Sequence, residues 1–168
     1  MEGNTPEVKR DRLPFVLLPL AAIVLHILCI NNYGYFRDEL YYLACSKRLD
    51  WGYVDHPPFS VALLRLVTTL FGDSLFAIRM PIVIASGLTV FLVVLTADRL
   101  GAGRLGTWVA GLCVLLSGMN LVIFSFYTMN AIDIVVWAIA AYLIVRILEN
   151  ESLLLWALFG LTIGIGFL

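Results

Sequence analysis

Charge is scarce in this sequence. Asp, Glu, Lys and Arg make up 14% of its 168 residues, where soluble domains carry about a quarter. Neither sign dominates: the net charge is −1, so no basic field argues for nucleic acid, and no nucleic-acid partner is expected. Cysteine is equally sparse. Cys29, Cys45 and Cys113 have no metal-ligand spacing, which excludes a disulfide framework and a zinc module as the organising feature. What the chain does have is apolar surface: 61% of residues are hydrophobic, and mean hydropathy is +0.95.

The apolar residues are gathered in runs rather than spread. A spanning helix needs about 20 mostly apolar residues, and Leu13–Ile30, Arg79–Ala97, Gly106–Phe126, Ile132–Leu148 and Leu153–Leu168 all come close. Backbone groups in lipid must satisfy one another, so these runs predict helices and an all-α, polytopic transmembrane bundle. The second run opens "RMP", with Pro81 where a helix start tolerates proline. Four further runs follow the first, which reads as a retained anchor rather than a cleaved signal. Lys9, Arg10 and Arg12, then Arg99 and Arg104, then Arg146 fall on one side if five helices alternate. The positive-inside rule puts that side, and the N-terminus, in the cytoplasm of a multi-pass plasma-membrane protein.

One stretch breaks the pattern. "YGYFRDELYYLACSKRLDWGYVDHPPF", Tyr33–Phe59, gathers Asp38, Glu39, Asp50, Asp55 and His56 among aromatic rings. It belongs to an outer loop, 33–74, too rich in Tyr, Trp, Phe and Leu to read as disordered. "FRDELYYLACSKRL" predicts a helix with Leu40, Leu43, Ala44 and Leu49 as its apolar face. Gly52 and the prolines of "DHPP" end it. "FSVALLRLVTTLF" restarts a helix of roughly 13 residues, too short to span and suited to lying in the interface.

Each acid has two readings. Asp38 and Glu39 are first-turn residues favoured by the helix dipole, or one of them is a general base at the mouth of a membrane cavity. Asp133 forms a cap with Asn130, or it is a second functional carboxylate at the membrane edge. Asp55 and His56 form a turn stiffened by proline, part of a metal site, or a group near phosphate. Arg37, Lys47, Arg48, Arg65 and Arg79 are headgroup contacts, or include a clamp on a lipid phosphate. His26 reads as a packing residue between helices, and Gly160 with Gly164 as a small-residue pair for close helix packing.

In order and placement, the acidic pair with its aromatics (Asp38, Glu39, Tyr41, Tyr42), then "HPP", "FG" and "RMP", with "FSFYTMNAID" before the fourth run, resemble a known group. They are similar to the polytopic glycosyltransferases that use lipid-phosphate sugars, the protein mannosyltransferase and aminoarabinose transferase relatives of family thirty-nine. The resemblance covers about Tyr33 to Leu168. It implies a cytoplasmic tail over 1–12 and a partial transmembrane glycosyltransferase-like domain over 13–168. The implied activity is inverting transfer of a sugar from a polyprenyl-phosphate donor to a glycan, lipid or protein acceptor outside the cytoplasm. Asp38 would be the base, and Asp133 would orient acceptor or donor. Glu39, Tyr42, Asp55 and His56 would support them, with Glu39 toward a divalent metal if one is used. Such enzymes have about twice as many helices or more, so an N-terminal portion is expected. The alternatives are a non-catalytic assembly subunit and a transporter subunit.

Overall fold

The computed structural model describes residues 11–168, so the tail's Lys9 and Arg10 lie outside the described residues. Every regular element among the described residues is a helix: α1 Leu13–Cys29, α2 Arg37–Ser46, α3 Pro58–Phe71, α4 Leu75–Arg99, α5 Gly103–Leu115, α6 Gly118–Ile123, α7 Met129–Glu149 and α8 Leu153–Gly166. α4, with 25 residues, and α7, with 21, are long and apolar enough to cross a bilayer; α4 reaches roughly 37 Å. α4 is the hub. It packs on α1, α5 and α7, and α8 packs on α7.

Polar contacts define the two ends of this bundle. At one end Asp11 meets Arg104 at 2.9 Å and Arg99 meets Glu149 at 3.3 Å. These join the starts of α1 and α5 and the finishes of α4 and α7. The Leu13 N–H above all, then Trp108 and Arg104, hold the Asp11 carboxyl below its ordinary range. At the other end the finish of α1, the start of α4 and the α6–α7 link converge beneath α2 and α3. The core there is Tyr42, Val61, Leu64, Ile78, Ile82, Phe124, Tyr127 and Ala131.

The helices depart from the sequence expectations in four places. α4 begins at Leu75 rather than Arg79, because the Ser74 side chain accepts from the Ala77 N–H at 3.2 Å and caps an extra turn. Pro81 therefore lies inside the helix. The run Gly106–Phe126 is not one helix. It breaks at Leu116–Ser117, where Asn120 Nδ2 donates to the freed Val114 carbonyl at 3.2 Å. The buried face of α2 is Glu39, Tyr42 and Ser46, while Leu40, Ala44 and Leu49 are exposed.

The fourth departure concerns glycine. Gly160 and Gly164 face open space. The close helix approaches fall elsewhere. A Cβ on Gly87 would lie 2.7 Å from Ile23 and 3.2 Å from the Pro19 carbonyl, and one on Gly111 2.5 Å from Leu18. Gly87→Ala is therefore expected to cost about 1–3 kcal/mol through overpacking of α1 against α4. Gly160→Ala should be neutral or raise stability by up to roughly 1 kcal/mol. Thermal unfolding in mild detergent compares them, and equal shifts would refute this account of the α1–α4 contact. His26 is buried as expected and meets the Phe124 ring edge-on, 6.2 Å between centroids.

Candidate active site

The site is built around two charges buried at the α2 end of the bundle. Glu39 and Arg79 are 0% and 3% exposed, and Arg79 Nη2 lies 2.7 Å from Glu39 Oε2. Arg79 Nε donates to Glu39 Oε1 at 2.8 Å. Its Nη1 donates to the Ile30 and Tyr33 carbonyls, and Nη2 also to that of Gly34. All five guanidinium donors are thus used. The Glu39 carboxylate also takes the Phe36 N–H at 2.8 Å and the Tyr127 N–H at 2.9 Å, so four donors fill its two oxygens. The Phe36 bond is half of a capping box and starts α2. The Arg79 bond to Ile30 answers a carbonyl left open at the end of α1. One ion pair therefore fastens α1, α2, α4 and the α6–α7 link together.

This placement corrects two expectations. Arg79 is spent inside the protein and does not reach a lipid phosphate. Glu39 has no lone pair left for a divalent metal, and among the described residues no group of three or more His, Cys, Asp or Glu is arranged to hold one. The residues present do not fit that ion.

Above the pair lies a stack of rings. His56 sits 4.0 Å from the Tyr42 ring at an interplanar angle of 22°, with Tyr41 at 4.9 Å. Both His56 ring nitrogens are shielded and meet no hydrogen-bond partner. Tyr127 Oη donates to the Ser60 carbonyl at 2.6 Å, tying the α6–α7 link to α3. The Met129 N–H donates to Tyr42 Oη at 3.0 Å, tying α7 to α2. Burial pushes the Tyr42 phenol up; the Met129 N–H opposes that shift, and the Asp38 charge adds to it. Burial likewise pushes Tyr127 up.

Asp38 and Asp133 flank this link. Asp38 stands one turn before Tyr42 on α2, and Asp133 one turn after Met129 on α7. Asp38 is 39% exposed and accepts from Arg37 Nε at 3.1 Å. Asp133 is exposed. The cap of α7 is Thr128, whose hydroxyl accepts from the Asn130 N–H, so Asn130 and Asp133 do not form the expected capping pair. Asp133 lines a 220 Å³ cavity with Pro57, Ser60 and Asn130; Asp38 is not part of that lining. Asp55 is exposed. Lys47 and Arg65 line a second cavity, between α2 and α3. Arg37 and Arg48 are exposed at the surface of the same end.

Sequence reasoning missed Tyr127, Ser60 and the pairing of Glu39 with Arg79. The signal for the pair was faint: a glutamate three residues after the α2 cap, and an arginine set among apolar residues. Nothing in the sequence joined two positions so far apart.

A family model described as "Dolichyl-phosphate-mannose-protein mannosyltransferase" matches residues 55–168. No curated protein and no solved structure matches the chain.

Proposed function

The chain belongs to the dolichyl-phosphate-mannose-protein mannosyltransferase family, and on that premise we propose a membrane glycosyltransferase drawing on a polyprenyl-phosphate sugar and transferring it to a hydroxyl outside the cytoplasm. The observation carrying this reading is the Tyr42–Met129 hydrogen bond with a carboxylate one helical turn to each side of it. Two acids from separate segments are held at one end of an apolar bundle, where a greasy donor and a wet acceptor can meet.

In the proposed reaction the acceptor oxygen attacks the anomeric carbon as the bond from that carbon to the phosphate oxygen breaks. The hydroxyl proton passes to Asp38, the polyprenyl phosphate leaves with the electron pair, and the anomeric centre inverts. A phosphate leaving group needs little protonation, so one base with cationic stabilisation suffices. Asp133 orients the acceptor or donor from its cavity. The Arg48 cation, exposed at the same end, is placed to meet the phosphate. Arg12, Arg99, Arg104 and Arg146, at the opposite end, support a cytoplasmic placement for that end. Charge lies at the ends of the long helices rather than along their middles, which disfavours a transporter.

The test is transfer by the purified protein, reconstituted in vesicles, from a radiolabelled polyprenyl-phosphate sugar to added hydroxyl acceptors. Label is expected to move from the lipid to the water-soluble fraction. Retention of all label on the lipid across a panel of sugars and acceptors would overturn the proposal.

A further inference from the structure

We propose a second ligand site, independent of the transfer chemistry, for a phospholipid with a zwitterionic aminoethyl phosphate headgroup. The site is the cavity of 440 Å³ between α2 and α3, lined by Lys47, Arg65, Thr68, Thr69, Gly72 and Asp73, with Leu43 and Ser46. Its chemistry is uneven. The Ser46 hydroxyl donates to the Leu43 carbonyl, and the Thr68 and Thr69 hydroxyls donate to the Arg65 carbonyl, so all three hydroxyl protons are committed. The side-chain donors left for a ligand are the Lys47 ammonium and the Arg65 guanidinium. The charged acceptor is the Asp73 carboxylate, whose backbone is held by Tyr35 Oη at 2.7 Å.

Among the described residues these three charges form no ion pair, although they line one cavity. Two cations and one anion kept apart across a polar hollow match a ligand with a phosphate at one point and an ammonium at another. Residues at the finishes of α2 and α3 also line the cavity, where the negative ends of helix dipoles oppose a purely anionic headgroup while favouring an ammonium. On the other flank of the Gly72–Ser74 turn lies an apolar groove of 610 Å³, lined by Val67, Phe71, Phe76, Met80 and Ile84 among others. A chain attached to the headgroup can lie there. Leu66, Leu70 and Phe71 are exposed beside it, as a helix lying against lipid requires.

The experiment is native mass spectrometry of the full chain after equilibration with vesicles of equal parts phosphatidylethanolamine, phosphatidylglycerol and phosphatidylcholine. Phosphatidylethanolamine should be retained over each of the others by up to about fivefold, the scale of one partly exposed charge contact. Lys47→Gln with Arg65→Gln should abolish that retention, and Asp73→Asn should erase the preference for the amine over the glycerol headgroup. All three positions line a surface cavity, and unchanged thermal unfolding will show that the variants fold. Soluble phosphoethanolamine should displace the lipid where inorganic phosphate does not. Equal retention of the three lipids, no effect of the charge variants, or displacement by inorganic phosphate as effective as by phosphoethanolamine would each overturn the site.

Discussion

Glu39→Ala is expected to leave almost no folded protein. The substitution strands the Arg79 guanidinium, 3% exposed, in the interior without its counter-charge. Removing one partner of a buried pair costs about 3–5 kcal/mol, a large part of the roughly 5–15 kcal/mol that holds a domain together. The Phe36 and Tyr127 N–H groups lose their acceptor in the same step. Thermal unfolding and protease resistance in mild detergent measure the effect. Replacing both members, Glu39→Met with Arg79→Met, removes the bare charge and should recover part of the loss. It should not recover all of it, because the Ile30, Tyr33 and Gly34 carbonyls then lose their donor. A Glu39→Ala protein that melts with the wild type would refute the structural role assigned to this pair.

Asp38→Asn is expected to lower the rate of sugar transfer by about 10²–10⁴-fold, the usual contribution of a general base, with KM little changed. Its effect on stability should be small, within roughly 0.5 kcal/mol. The Asp38 carboxylate is partly exposed, and its hydrogen bond comes from its own neighbour Arg37. That contrast separates the two adjacent acids: one variant should fail to fold, and the other should fold but turn over slowly. Asp133→Asn should act more on KM, as expected of a residue that orients a ligand. Undiminished turnover by Asp38→Asn would remove Asp38 as the base.

How much of this was legible in the sequence depends on which force decided each feature. The all-helical class followed from hydropathy alone, because lipid leaves the backbone no other solution. The two loop helices were legible too, since Gly52 and the prolines punctuate them. The face of α2 was read only in part: Leu43 packs on the core as expected, but Leu40, Ala44 and Leu49 are exposed. Periodicity treats leucine as inward, but beside a bilayer Leu40 and Leu49 can face out while Glu39 turns in to meet Arg79. The start of α4 was misplaced because one serine cap outweighed a proline cue. Charge and position suggested Asp38 and Asp133 as a pair; their segments do meet, but only Asp133 lines the cavity. The bond that relates them, Tyr42 to Met129, joins a ring to a backbone amide and leaves no trace in composition.

The five bonds of Arg79 also bear on traffic through the molecule. They seal the seam between the finish of α1 and the start of α4, so neither a lipid tail nor a water column can thread between those helices at that end. The hollow that Asp133 lines lies away from that seam, beside Pro57 and Ser60, so on the proposed function a reactant would approach there rather than between α1 and α4.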